Sequence, residues 1–288
     1  MKWQQTLSLA ALSALSVFLL SSCVKDLPYD RLQKEIDACP ILILDALDTT
    51  LSGVPSEFAR YGIDYNKAGN PVDMIAAPGG YPGSLDYYFR YDRYGRLSDF
   101  MTTFQGSSGS LIWHRYGYPD RHTINDTSFD YVGDVASAEP PHASFDTYFA
   151  IDKLDDLGRI IKSTSLIGLD SSFVTTDPPE ITTFAYDAKG DMIRPGVTYD
   201  DKVNPYQTNP VWMFIYNDYS VNNPVNVPIG VGGLGGLVII TKYNAVGLPL
   251  VRDGNFFNFY LFGIYGGDQL QITYGCESGP SKVGSMGQ

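Results

Sequence analysis

The chain has 288 residues, with 32 acidic side chains against 20 basic ones and a formal charge of −12. An acidic chain without Lys/Arg clusters is a poor partner for nucleic acid or for an anionic lipid surface. Beyond the N-terminus no apolar run approaches ~20 residues, which excludes a further membrane-spanning helix.

Residues 1–22 have the parts of a secretory signal: Lys2, an apolar run from Leu7 to Leu20, and small residues at Ser21 and Ser22. The run is too short to span a bilayer and is removed from fold reasoning. Leu20-Ser21-Ser22-Cys23 resembles the lipobox of bacterial lipoproteins, in which the cysteine thiol carries diacylglycerol. The resemblance implies cleavage before Cys23 and a lipid anchor. Acyl chains contribute roughly 0.8 kcal/mol per buried methylene, so several on one residue hold a protein to a membrane without a spanning helix. Val24, not Asp, follows the cysteine, and the enterobacterial sorting rule then implies the outer membrane, on its periplasmic or surface side.

Losing Lys2 with the signal takes the formal charge to −13. Residues 23–39 are charged and carry no β pattern, which suits a tether containing at most a short helix. With Cys23 assigned to lipid, Cys39 and Cys276 remain, and in an exported protein they form either a disulfide or two separate thiols. From residue 40 to 276 short runs of Tyr, Phe, Val, Ile and Thr are punctuated by Gly, Pro, Asp and Asn, and no long amphipathic helix is legible. Residues 277–288 read as a flexible tail.

In Leu85–Tyr91 the odd positions are large and apolar or aromatic, with Asp86 and Arg90 on the other face, the pattern of a half-buried strand. Val211–Tyr216 and Leu237–Ile240 are apolar on both faces and are expected as central strands. A repeat of aromatic, Asp or Asn, two free positions and Gly organises these runs. It appears as Tyr65-Asn66…Gly69, Tyr91-Asp92…Gly95, Tyr186-Asp187…Gly190 and Tyr243-Asn244…Gly247, with a longer copy from Ile151-Asp152 to Gly158. Asp or Asn opens a type I turn by bonding the backbone ahead, and Gly closes it in the left-handed conformation, so each copy predicts a hairpin.

These units resemble YD-repeat proteins, and the chain is similar to small β-rich lipoproteins of Gram-negative bacteria that carry a few degenerate copies. The segment from Tyr199-Asp200-Asp201 through Trp212 to Asn222-Asn223-Pro224 is the most characteristic of that group. The resemblance implies an antiparallel, twisted meander of hairpins, curled toward a sandwich or a partial barrel, and implies no activity.

The remaining motifs are weak as chemistry. Gly230–Gly235 matches the spacing of a dinucleotide loop, but a strand-like run follows it instead of a helix, so it reads as an inter-strand loop. His114, His122 and His142 lack metal-ligand spacing, although they could converge with Asp120 or Asp126 as an oxygen ligand. Asp152, Asp155 and Asp156, and Asp187 with Asp191, lack the alternation of a calcium loop. No nucleophile elbow, zinc-protease motif or marked carboxylate pair is present, so no catalytic, metal or cofactor residue is assigned. Trp212 is expected in the core, while Trp113 beside His114 and Arg115, with Tyr116, is the candidate ligand surface. The expectation is a non-catalytic envelope lipoprotein that binds a protein or glycan partner through a sheet face or loops. The alternatives are an envelope polysaccharide or peptide hydrolase and a purely structural module.

Overall fold

The computed structural model describes residues 28–48, 56–78, 84–107, 109–130, 134–137, 147–169, 178–227, 236–237, 239–253 and 269–277. Cys23, the signal, His142, the Gly230–Gly235 loop and the C-terminal tail beyond residue 277 lie outside them.

The fold is all-β. Helix α1 (Pro28–Asp37) precedes β1 (Ile41–Asp48), β2 (Ser56–Tyr65), β3 (Pro71–Ala76), β4 (Leu85–Tyr91) and β5 (Leu97–Phe104). Then come β6 (Ser110–Asp120), β7 (Thr123–Asp130), β8 (Thr147–Leu154), β9 (Ile160–Leu169) and β10 (Glu180–Thr183). After β11 (Thr198–Val203), a 3-10 turn (Pro205–Thr208) and helix α2 (Pro210–Ile215), the chain ends in β12 (Asn222–Val227), β13 (Gly236–Leu237), β14 (Ile239–Tyr243), β15 (Pro249–Asp253) and β16 (Gln269–Tyr274).

Thirteen strands form one antiparallel sheet in the order β10-β9-β8-β7-β6-β5-β4-β3-β2-β1-β16-β15-β14, and β11-β12-β13 form a second, small one. The large sheet does not close on itself: β10 and β14 are its two edges. Pairing of β1 with β16 brings the two ends of the β domain together, and the Cys39–Cys276 disulfide (Cα–Cα 4.7 Å) joins them there.

One face of the sheet is covered by the segment 203–221. Its Trp212 is fully buried and meets Phe89 edge-on at 5.5 Å, and Phe214 meets Tyr116 edge-on at 4.8 Å. Cross-strand register carries this inner face through Leu44, Tyr61, Met74, Tyr87 and Phe89, an apolar half that supplies most of the core. Truncating a side chain as enclosed as Trp212 to Ala costs about 3–5 kcal/mol.

Several expectations are corrected. Val211–Tyr216 is not a central strand, because residues 210–215 form α2. Asn209 caps it, its Oδ1 accepting from the Val211 N–H at 2.9 Å, and Pro210 fills the first helical position; these start signals outweigh the β preference of Val, Trp and Ile. Leu237–Ile240 is not central either: Ile239 opens the edge strand β14 and is 51% exposed. Within the stretch expected to act as a tether, residues 28–37 form α1, which packs against the 3-10 turn, and Ile36 and Cys39 belong to the core. Asp86 does turn to the face opposite Tyr87, but it is buried, accepting from the Ala76 and Gly106 N–H groups at 2.9 and 3.3 Å.

Candidate functional site

The repeat turns share one geometry. The Asn66, Asp92, Asp155, Asp187 and Asn244 side chains each accept from the backbone N–H groups two and four residues ahead, at 2.8–3.2 Å. Gly69, Gly95, Gly158, Gly190 and Gly247 close them at φ between +78° and +90°, the region where only glycine is free of Cβ strain. The fifth copy is therefore Leu154-Asp155-Asp156-Leu157-Gly158, of ordinary length. Asp152 is not its turn residue but lies buried within β8.

The aromatic of the repeat works as a stitch between hairpins. Tyr91 donates its hydroxyl to the Pro71 carbonyl at 2.6 Å, and Tyr186 to that of Ile160 at 2.8 Å. Tyr118 and Tyr274, outside the recognised copies, do the same to Leu97 at 2.7 Å and Pro249 at 3.0 Å. Each acceptor sits two residues beyond a turn glycine of the neighbouring hairpin. Burial raises these phenols, Tyr118 to about 12, so they stay protonated donors.

In an antiparallel meander alternate connections fall at the same end. The β2–β3, β4–β5, β8–β9 and β14–β15 turns, all repeat turns, therefore lie along one rim although their spacing in sequence is uneven. The covering segment reaches this rim: the Asn209 Nδ2 donates to the Gly69 carbonyl at 2.9 Å, and a Cβ on Gly190 would stand 2.8 Å from Val221 Cγ2.

Between turns and segment opens a cleft of about 890 Å³. Its floor is apolar and aromatic, with Leu97, Tyr118, Ile124, Met213, Phe214 and Tyr219; its rim carries Arg96, Arg159, Lys189 and Asn70 from four of the turns, and Gln33 from α1. The two arginines are held rigidly. Arg96 donates Nε to Asp92 Oδ2 at 2.8 Å, places Nη2 2.6 Å from the same oxygen, and lies over the Tyr118 ring at 4.2 Å. Arg159 repeats this with Asp155 (2.8 and 2.7 Å) and the Tyr186 ring at 4.0 Å. Burial acts to raise both carboxyls, but the hydrogen bonds from each arginine's side chain and backbone outweigh it and hold Asp92 and Asp155 below the usual carboxylate range.

Further along the inner face, beyond the residues that line the cleft, the side chains turn polar. His114 Nδ1 stands 3.0 Å from both oxygens of Asp126, and its ring stacks on Tyr116 at 6.1 Å. Ser128 is paired opposite His114, and Asp126 opposite Ala150 on β8. Two positions beyond Ala150 on β8, Asp152 is raised by burial, a rise that a Ser163 hydrogen bond opposes and Asp126 reinforces. An imidazole fixed at Nδ1 by a carboxylate keeps Nε2 for proton transfer, and a carboxyl raised by burial can serve as an acid.

The candidate surface at Trp113 and Tyr116 is overturned. Trp113 is 0% exposed on the outer face: its Nε1 donates to Asp99 Oδ1 at 2.8 Å, and Arg90 lies over the ring at 5.1 Å. Arg90 is itself bonded to the Val135 and Ser137 carbonyls, which brings residues 134–137 over the indole. Tyr116 is 9% exposed beneath Phe214. His122 sits at the rim beside Arg121 and Asp156, away from His114, and Asp120 accepts from the His122 N–H at 2.7 Å. Among the described residues no three His, Cys, Asp or Glu side chains gather as metal ligands. The sequence reading missed the cleft, although two signals for its wall were present: Asn209-Pro210 as a helix start, and the arginines directly after Gly95 and Gly158.

No protein-family model matches the chain, and a search of curated proteins finds no match.

Proposed function

We propose that this chain is a bacterial envelope lipoprotein, anchored at Cys23 to the outer membrane, that binds a ligand in the cleft at the turn end of its sheet without transforming it. The observation that supports the reading most is the construction of the cleft. Four repeat turns, Gln33 of α1 and the covering segment converge on one concavity with an apolar floor and fixed polar groups at its rim, the composition expected of a ligand site. The lipobox supports the anchor.

Two measurements test this. Cys23→Ala abolishes palmitate labelling and releases the protein from membranes; continued labelling refutes the anchor. Ala188→Trp places a ring at the mouth of the cleft from an exposed turn position. It should abolish retention of the mature chain on immobilised envelope glycan or protein fractions while leaving the circular dichroism spectrum intact. Equal retention of both proteins moves binding off the cleft.

A hydrolase is the second reading, favoured by the His114–Asp126 pair beside Asp152. It predicts turnover of an envelope polymer that His114→Ala reduces by about 10²-fold or more; turnover unaffected by that substitution removes the assignment.

A further inference from the structure

We propose that the ligand of the cleft is an uncharged oligosaccharide segment, a conclusion that rests on the cleft being the binding site. Charge is the first argument. The chain is acidic overall, at −12, yet the cationic groups at the rim are already matched: Arg96 by Asp92 and Arg159 by Asp155 within their own turns, with Lys189 in the field of Asp191 and Asp201. An anionic ligand would have to compete with carboxylates bonded at 2.6–2.8 Å, and a cationic one would meet two guanidinium groups. The rim selects for directional hydrogen bonds rather than for net charge.

The second argument is preorganisation. Each guanidinium is fixed on one edge by aspartate and on one face by a tyrosine ring. Nη1 of Arg96 and of Arg159 has no hydrogen-bond partner among the described residues. Two planar donors that lose little side-chain freedom on binding suit vicinal hydroxyls, which accept in pairs. Beneath them the partly exposed Phe214 ring and Met213 offer apolar area to the C–H faces of sugar rings, while Tyr118 lies under Arg96 with its hydroxyl committed to Leu97, and Tyr219 is buried as backing. A volume of about 890 Å³ lies near the top of the range for small-molecule sites, which is room for more than one ring.

An extended peptide, also rich in uncharged donors and acceptors, fits less well. Peptides add to sheets through a free strand edge. The cleft is lined mainly by turns and by the covering segment, and the turn N–H groups are spent on Asp and Asn side chains or within the turn.

Native gel electrophoresis of the mature chain through neutral polysaccharides (α-glucan, β-glucan, mannan, xylan) and acidic ones (polygalacturonate, alginate) tests the proposal. Retardation is expected by at least one neutral polymer and by neither acidic one. Arg159→Ala should weaken it about tenfold or more, the loss expected when a charged donor is removed, and Ala188→Trp should abolish it. Retardation by acidic polymers alone, sensitive to Ala188→Trp, overturns the ligand class but leaves the cleft as the site. Retardation by a neutral polymer that neither variant affects overturns the cleft as the site. No retardation by any polymer, with both variants folded, overturns the glycan assignment.

Discussion

Gly190 is where the repeat turn and the covering segment are most tightly interlocked, and Gly190→Ala measures that fit. The residue has φ +90°, so any L side chain is strained there by about 1–2 kcal/mol. Its new Cβ would also stand 2.8 Å from Val221 Cγ2, an overlap that costs about 1–3 kcal/mol when a packed neighbour must shift. Gly95, at φ +78° with open space around it, carries the first cost alone. Urea unfolding followed by fluorescence of the buried Trp113 and Trp212 should therefore show Gly190→Ala losing about 1–3 kcal/mol more than Gly95→Ala, with unchanged m-values. In a Val221→Ala background that excess should disappear, because the colliding methyl is gone. Equal losses at the two glycines, or an excess that persists without the Val221 methyls, would refute the interlock between this turn and the segment 203–221.

Tyr91→Phe and Tyr118→Phe each remove one side-chain hydrogen bond to a strand carbonyl; each should cost about 1 kcal/mol in the same assay, and no loss at either site would refute the stitching role. Replacing Cys39 and Cys276 together with Ala opens a loop of sequence separation 237 and should lower stability by up to about 5 kcal/mol; an unchanged urea midpoint would show that the bond does not constrain the unfolded chain. Asp152 is raised in the folded protein, so its favourable contribution is complete below the unfolded value of about 3.9 and is lost as pH rises through the folded pKa. Asp152→Asn should accordingly be more stable than the parent at pH 7 and lose that advantage at pH 3.5; a constant difference between the two pH values would contradict this. Asp155 is depressed, so its contribution is present above about 3.9 and lost as pH falls through the folded pKa. Asp155→Asn should thus be less stable at pH 7, and the gap should narrow in acid.

The hairpins were legible because their chemistry is local. An Asp or Asn side chain reaches N–H groups two and four residues ahead, and a glycine three residues on takes a positive φ, so the copies at Asn66, Asp92, Asp187 and Asn244 could be read without any distant contact. The same spacing rule points to Asp155, three residues before Gly158, and Asp152 misled only because Leu154 replaces the repeat tyrosine. The run at 211–216 was misread for the opposite reason: its β-favouring side chains matter less than the Asn209 cap and Pro210, which start a helix that the sheet then holds through Phe89 and Tyr116.

What the sequence determined by itself is the all-β antiparallel class and the turns, since alternation and turn chemistry act over five residues or fewer. Which face of β6 is covered, and so why Trp113 is enclosed under Arg90 rather than open to a ligand, depends on residues 134–137 folding back over it. The cleft likewise belongs to tertiary structure alone. Its floor and rim come from positions as far apart as Gln33 and Val221, and only the pairing order of thirteen strands brings the turns of separate hairpins to a single rim.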